Sequence, residues 1–191
     1  MTIRFATEAD APALLGIYAQ YIDTSVTFEY ALPTVEEFAG RIRDISSQYP
    51  YLVCEVDGRA VGYAYAHRVR ERAAYDWIVE LSVYLDNGYT GRGLGTALYS
   101  LLIDLLSLQN IKTVMGCVTM PNEKSQALHN ALGFRKVGTS VNAGYKNGAW
   151  HDVAWFEKAI AAYDTPPAPV IPMGGVSPEA VAAVLQKYVL Q

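Results

Sequence analysis

The sequence predicts an α+β protein in which a mixed central β-sheet is flanked by helices on both faces, a three-layer arrangement. One basis is the order of the periodic segments, which is β-α-α-β-β-β-α-β-α-β-β. The other is a composition that is 51% apolar and 18% charged over 191 residues, which is enough to bury one substantial core. We expect one main domain over residues 1–162, followed by a Pro/Gly-rich linker and a C-terminal helix over residues 163–191.

The N-terminal part begins with a short strand and two capped helices. Residues 3–5 form the apolar strand candidate. Thr7 and Asp10 make a variant capping box, with Asp in place of the usual Glu, ahead of a first amphipathic helix. Thr34 and Glu37 make a regular capping box and predict a second helix directly after a proline.

Strands dominate the middle of the chain. The segments 51–56 and 60–67 flank an Asp-Gly dipeptide, a combination typical of an antiparallel hairpin. Residues 75–85 predict a third strand because they are rich in aromatic and β-branched residues. The remaining elements are predicted in the order helix, strand, helix, strand, strand, at 93–108, 113–119, 125–132, 134–145 and 150–158.

The composition changes after Ala162. The run DTPPAPVIPMGG is too rich in proline and glycine for regular structure, which predicts a linker or a strap. Residues 178–189 then predict a helix with one apolar face. Packing of that face on its own domain and packing on another subunit agree equally well with the sequence.

Charge and hydropathy exclude several classes of partner. The net charge of −4 gives no support for nucleic-acid binding. The chain contains neither a membrane-length apolar run nor a signal peptide, so we expect no membrane partner and a cytoplasmic location. Cys54 and Cys117 lie in apolar strand segments and are expected to be buried thiols. The three histidines lack metal-ligand spacing, so no metal is expected.

A glycine-rich turn joins the third strand to the following helix. Glycines at positions 91, 93 and 95 let the backbone approach an anion, and the free N–H groups of the helix start point at it. This arrangement favours a pyrophosphate, although a tight turn without a ligand would also use glycines. The P-loop and Rossmann motifs are not matched, so a nucleoside triphosphate and NAD are not indicated.

The turn resembles the acetyl-CoA signature of the GCN5-related N-acetyltransferase (GNAT) family, Gln/Arg-x-x-Gly-x-Gly/Ala. It reads here Thr90-Gly-Arg-Gly-Leu-Gly95, with Thr90 in place of Gln or Arg. Residues 121–134 are similar to the family's second signature, in which Asn122 would bond the pantetheine arm, cap a helix, or do both. The resemblance implies the GNAT fold and acetyl-CoA as co-substrate. The implied cofactor-binding residues are Leu81, Val83, Thr90, Gly91, Arg92, Gly93, Leu94, Gly95, Thr96, Asn122 and Ser125.

Further motifs are similar to the phosphinothricin acetyltransferase-like branch of this family, over about residues 3–158. They are Thr27-Phe-Glu29, Ala74-Tyr-Asp-Trp77, Glu80-Leu-Ser-Val-Tyr84, Leu128-His129 and Gly144-Tyr-Lys-Asn-Gly-Ala-Trp-His-Asp152. The branch acetylates the α-amine of small amino-acid analogues such as phosphinothricin, methionine sulfoximine and methionine sulfone. By resemblance, Arg72 and Tyr75 would hold the acidic groups of the substrate, and Phe28 and Glu29 would close the pocket. Ordinary surface or core packing is the alternative for each.

Transfer of an acetyl group to an amine requires removal of a proton from the ammonium form. The resemblance makes Glu80 the general base, with a solvent-facing strand carboxylate as the alternative. Backbone amides around Val83 would polarise the thioester carbonyl. His129 stands at the position from which the departing thiolate would be protonated or stabilised, and a surface histidine on a helix is the alternative reading.

The resemblance also implies a homodimer that acts on a small-molecule amine. Two other functions agree with the sequence. One is a GNAT enzyme for another amine, such as a polyamine, an aminoglycoside or a protein N-terminus. The other is a non-catalytic acyl-CoA-binding module.

Overall fold

The computed structural model describes residues 1–188 and contains one seven-stranded mixed sheet. Its strands are β1 (Thr2–Phe5), β2 (Tyr51–Val56), β3 (Arg59–Arg68), β4 (Ile78–Leu85), β5 (Thr113–Thr119), β6 (Arg135–Lys146) and β7 (Ala149–Ala159). The spatial order is β1-β2-β3-β4-β5-β7-β6. The β4–β5 pair is parallel, and the other neighbouring pairs are antiparallel.

Helices cover both faces of the sheet, which confirms the predicted three-layer fold. They are α1 (Ala11–Ala19), α2 (Val35–Ser46), α3 (Leu94–Leu108), α4 (Glu123–Ala131) and α5 (Pro178–Gln186). The first two pack against Tyr51, Val53 and Tyr63 on one face. The long helix α3 packs against Leu81 and Val114 on the other face. Within residues 1–188, none of the helices is long and apolar enough to cross a membrane.

The predicted order of elements is confirmed, and the differences lie at their ends. The third strand begins at Ile78 instead of residue 75, because residues 73–75 form a short 3-10 helix whose Tyr75 is exposed. Helix α4 begins at Glu123 instead of 125, because Asn122 is already its cap. The predicted C-terminal helix 178–189 is observed over Pro178–Gln186, and Val189 lies outside the described residues.

The predicted caps form because side chains satisfy the first amides of each helix. Thr34 Oγ1 accepts a hydrogen bond from the Glu37 amide at 3.1 Å, and the Glu37 carboxylate accepts one from the Thr34 amide at 2.7 Å. Asp10 accepts from the Thr7 amide at 2.8 Å and pairs with Arg4 at 2.6 Å. Its bond to the Arg4 guanidinium lowers the pKa of Asp10 to about 2.

The C-terminal segment packs on its own domain, which is the first of the two alternatives left by the sequence. It crosses the sheet at the starts of β4 and β5, where Trp77 Nε1 donates to the Ala168 carbonyl at 2.7 Å. Asn110 and Gln109 then donate to carbonyls of residues 169 and 171 at 2.8 and 2.7 Å. Helix α5 packs on α3, and the Tyr188 hydroxyl reaches Asp104 at 3.2 Å. The domain boundary at residue 162 stays a prediction.

A buried lysine joins the tip of the β6–β7 hairpin to the loop that connects α1 and α2. Lys146 is 2% exposed, and its Nζ donates to the carbonyls of Ile22 and Thr27, each at 2.6 Å. Beside it, the Phe28 ring covers Gly144 so closely that any side chain there would overlap the ring. The hairpin tip therefore holds the loop that carries Phe28 and Glu29.

We expect Lys146→Met to destabilise the protein by about 2 kcal/mol, because two buried carbonyls lose their charged donor while the chain length at this position is kept. Urea unfolding measures the change in the free energy of unfolding. The control is Lys136→Met on the exposed part of the same strand, for which a change within about 0.5 kcal/mol is expected. Equal midpoints for the two variants would contradict the role given to Lys146.

Candidate active site

The parallel strands β4 and β5 separate midway along their length. They pair only over Ile78–Leu81 and Thr113–Gly116, while β5 stays paired with β7 to its last residue, Thr119. The Trp77 carbonyl accepts from the Thr113 amide at 3.1 Å, so it faces β5. Since alternate residues of a strand point their backbone polar groups to the same side, the N–H of Val83 also faces β5. Val83 lies beyond the last paired residue, so its N–H faces an open gap.

The predicted glycine turn lies at the end of β4 where this gap opens. Gly91 and Gly93 have φ values of +74° and +80°, which residues with a side chain rarely adopt. Ala97 is the first residue of α3 whose amide bonds back into the turn, to the Gly93 carbonyl at 3.0 Å. The amides of residues 91–96 have no acceptor within the described chain. Such free amides at a helix start attract anions.

The side chains of this turn divide into an exposed and a buried set. Thr90 Oγ1 donates to the Asn87 carbonyl at 3.3 Å, so it is engaged with the turn itself. Arg92 is exposed, and its guanidinium lies over the Tyr89 ring, 4.8 Å from the ring centre. Arg92 is therefore the cation nearest the free amides in sequence. Thr96 is also exposed, whereas Leu94 and Gly95 are buried.

The start of α4 forms the opposite rim of the gap. Asn122 follows β5, and its side-chain oxygen accepts from the Ser125 amide at 3.1 Å. The helix-cap role of Asn122 is thereby confirmed. Its side-chain nitrogen donates no hydrogen bond to any of residues 1–188, so it is available to a ligand. Leu128 of α4 contacts Gly95, which brings the glycine turn and the second signature together.

Glu80 lies two residues after the start of β4, on the face of the sheet covered by α1 and α2. Its side chain is 20% exposed, and the titratable side chain of His67 lies directly opposite on β3, at 3.7 Å between Nε2 and Oε1. Burial raises the pKa of Glu80, and His67 opposes that shift. A largely desolvated carboxylate with a raised pKa is suited to accept a proton near neutral pH.

Cys117 contradicts the expectation that both thiols are buried. Cys54 is buried, but Cys117 is exposed because it lies on β5 beyond the last residue paired with β4. It is on the same face of the sheet as Glu80, two residues on from Met115, the partner of Glu80 in the β4–β5 register. Desolvation, together with the Glu80 charge, raises the pKa of the Cys117 thiol to about 12. The group is therefore a neutral thiol at physiological pH.

His129 lies under the opposite face of the sheet. It is 2% exposed and packs against Phe134 and Phe156, so the alternative of a surface histidine is wrong. Its Nδ1 is 2.8 Å from the Ser125 carbonyl, which can only accept, so Nδ1 carries the proton. Its Nε2 has no partner in the described chain and lies against Gly116, where any side chain would overlap the ring. Burial lowers the pKa of His129, which favours the neutral ring.

The residues predicted to bind the acceptor form two separate groups. Glu29 is held by Arg41 of α2 through two bonds of 2.7 and 3.3 Å. Arg72 is exposed and forms no ion pair within residues 1–188, so its guanidinium is available to an anion. Tyr75 is 44% exposed and ends the short 3-10 helix that Arg72 precedes as its N-cap. No hydrogen bond or ion pair between described residues joins these two groups.

Sequence reasoning missed three residues of this region: His67, Arg41 and Lys146. Each contacts a predicted site residue or its loop from a different strand or helix. The Gly144–Asp152 motif contained the signal for Lys146, but neither cross-strand pairing nor the Arg41 contact can be read from local sequence. In the part of the chain that the structure describes, the potential metal-binding side chains form no group of three or more.

Comparison with known proteins matches residues 3–155 to the acetyltransferase (GNAT) domain family. The phosphinothricin N-acetyltransferase of Streptomyces viridochromogenes is 40% identical over 172 residues, which are 90% of this chain and 93% of that protein. The L-methionine sulfoximine/L-methionine sulfone acetyltransferase of Salmonella typhimurium is 30% identical over 88% of this chain and 99% of its own length.

Solved structures give the same family. A GNAT superfamily phosphinothricin acetyltransferase from Sinorhizobium meliloti, solved in complex with AcCoA, superposes with a TM-score of 0.83 at 33% identity. The match covers 93% of this chain and 96% of that one. With the family domain over residues 3–155 and named acetyltransferases similar over most of its length, the chain belongs to the GNAT family and is an N-acetyltransferase.

Proposed function

We propose that the enzyme transfers the acetyl group of acetyl-CoA to the α-amine of a small amino-acid analogue, of the phosphinothricin or methionine sulfoximine and sulfone type. The observation that carries this proposal is the gap between β4 and β5. At its edges lie a backbone amide without a strand partner, a run of free helix-start amides and a desolvated carboxylate. The names of the relatives support the acceptor class.

In this proposal acetyl-CoA lies along the gap. The pyrophosphate accepts hydrogen bonds from the amides of residues 91–96, with Arg92 adding positive charge. The pantetheine arm passes the side-chain nitrogen of Asn122 and reaches Ser125 on the opposite rim. The thioester carbonyl then accepts from the N–H of Val83, which acts as an oxyanion-hole donor.

The acceptor binds on the face of the sheet that carries Glu80. Arg72 is suited to hold its acidic group, because an arginine fork binds a carboxylate or phosphinate with two parallel bonds. Tyr75 contributes an exposed hydroxyl beside it. Phe28 closes the pocket. Glu29 acts through the loop, because its carboxylate is already engaged by Arg41.

The chemical step follows from these positions. Glu80 takes a proton from the ammonium group, and the neutral amine attacks the thioester carbon. The negative charge that develops on the carbonyl oxygen is stabilised by the amide of Val83. The tetrahedral intermediate then collapses, its C–S bond breaks and CoA leaves as a thiolate, and the second proton that the nitrogen loses on becoming an amide is passed to that thiolate. Holding both reactants in one cleft lowers the entropic part of the barrier.

A panel of amines tests this function against its two alternatives. Thiol release from acetyl-CoA is measured with phosphinothricin, methionine sulfoximine, methionine sulfone, methionine, spermidine and kanamycin. We expect the highest kcat/KM with the first three compounds. A higher kcat/KM with spermidine or kanamycin would support the alternative of a GNAT enzyme that acts on another amine. Binding of CoA in calorimetry with no turnover of any amine would support the binding module.

Glu80→Gln tests the general base. The substitution keeps the shape of the side chain and removes its ability to take a proton, so we expect kcat to fall by about 10²- to 10⁴-fold. The Kd of acetyl-CoA, measured by calorimetry, should stay within about twofold, because Glu80 lies away from the turn that binds the pyrophosphate. Unchanged turnover in this variant would remove Glu80 from the mechanism.

We propose a smaller role for His129, as a proton donor to the departing thiolate. Its Nε2 is unpartnered at Gly116, the last residue of β5 that pairs with β4. Because Nδ1 holds the resting proton, Nε2 donates only after the ring becomes an imidazolium, which burial disfavours. We expect His129→Phe to lower kcat by about tenfold, less than Glu80→Gln, with an unchanged Kd for acetyl-CoA. An unchanged kcat would leave His129 a packing residue.

We also propose that the enzyme is a cytoplasmic homodimer. Eleven of the twelve residues of the edge strand β6 are at least partly exposed, and ten of these are exposed over more than a third of their surface. Val141 on β6 is 70% exposed and Trp150 on β7 is 63% exposed, which leaves an apolar surface around an unpaired strand edge.

Light scattering tests the dimer. We expect a mass of twice 20.9 kDa for the full chain and a shift to the single-chain mass for Val141→Lys. Val35→Glu, an equally drastic change at a partly exposed valine on α2, serves as the control and should remain dimeric. A single-chain mass for the unchanged protein would refute the dimer.

A further inference from the structure

His67 is the basic side chain that lies against Glu80. The two residues are direct partners in the antiparallel β3–β4 register, and Nε2 of His67 lies 3.7 Å from Oε1 of Glu80. That separation is longer than a hydrogen bond, and a small side-chain rotation or one bridging water closes it. His67 is 36% exposed at its side chain, whereas Glu80 is 20% exposed. The histidine side chain is therefore more accessible to solvent than the carboxylate beside it.

The hydrogen bond made by the His67 ring determines which ring nitrogen carries the proton and which one can accept a proton from Glu80. Nδ1 lies 3.2 Å from the carbonyl of Arg68, which can only accept, so the neutral ring carries its proton on Nδ1. The lone pair of Nε2 then points toward the carboxyl group of Glu80. A neutral ring in this orientation can take a proton from a protonated Glu80 on Nε2, and a water molecule that reaches the partly exposed side chain can then take that proton from Nε2.

The other titratable groups around Glu80 cannot take this proton. They are Tyr65 of β3, Tyr99 of α3 and Cys117 of β5. Burial raises the pKa of each, so all three keep their protons near neutral pH. None of them is a base in that range, whereas the lone pair on Nε2 of a neutral His67 ring is available to accept a proton.

Resting on the function proposed above, we propose that His67 is a positioning residue and proton outlet for Glu80. When the amine gives its proton to Glu80, the protonated carboxyl passes it to Nε2 of His67, and the imidazolium releases it to solvent. The ion pair formed after the transfer returns Glu80 to the carboxylate form for the next turnover. The proton leaves over the face of β3, so it need not pass the two bound substrates.

The test compares pH profiles of kcat/KM for the acceptor between pH 5 and 9 in the wild type, His67→Gln and His67→Asn. Without the imidazolium, the carboxylate of Glu80 is less favoured, so we expect the acid limb to move up by about one pH unit. We also expect added imidazole to raise the kcat of both variants and not that of the wild type. The KM for acetyl-CoA should not change.

Arg70→Gln is the matched control, because it removes a positive charge from the exposed loop after β3 without facing Glu80. Its profile should superimpose on that of the wild type. Superimposable profiles for the His67 variants, or a lack of rescue by imidazole, would overturn the proposal. Failure of the proposed function would give a different result from failure of the His67 proposal. In that case the wild-type enzyme would acetylate no amine, or the pH profile of Glu80→Gln would still show the acid limb.

Discussion

The separation of β4 from β5 after Leu81 and Gly116 is the constraint on which the site depends. β5 stays paired with β7 along its whole length. β4 stays paired with β3 from the partners Gly62 and Leu85 to the partners Arg68 and Val79, so each of the two strands follows its other neighbour. The Leu81 carbonyl accepts from the buried Tyr99 hydroxyl at 3.0 Å, at the point where the parallel ladder ends. Backbone groups beyond that point need another partner. A ligand in the gap can supply it.

On the face of the sheet toward α3, Gly116 and His129 pack against each other where β4 and β5 separate. The His129 ring takes the volume that a side chain at residue 116 would fill, and it stacks on Phe156 with ring centres 4.9 Å apart. A buried nitrogen without a partner is costly in a protein core. Nε2 lies at the end of the parallel ladder, where the gap opens, so a ligand bound in the gap would be able to supply the missing partner.

The sequence predicted what depends on local pattern. The caps at Thr34 and Asn122, the order of the elements and the glycine turn follow from the chemistry of a few adjacent residues. The register of β3 with β4 does not, because a loop of nine residues separates the strands and no turn rule fixes their pairing. His67 was therefore missed as the neighbour of Glu80. The exposure of Cys117 was mispredicted for the same reason, since it depends on where the β4–β5 ladder ends.

The sheet itself keeps the proposed acid and base apart. Glu80 is on the face toward α1 and α2, and His129 is under the face toward α3, so the two cannot form an ion pair with each other. Burial raises the pKa of Glu80 and lowers that of His129, and both shifts favour an uncharged group.

Repeated turnover near neutral pH requires that Glu80, the proposed base, loses the proton it has taken and becomes a carboxylate again. His67 is the group able to take that proton on the same face, because it is more exposed than Glu80 and lies next to it. In this proposal Glu80 is desolvated enough to accept a proton, and His67 connects it to solvent.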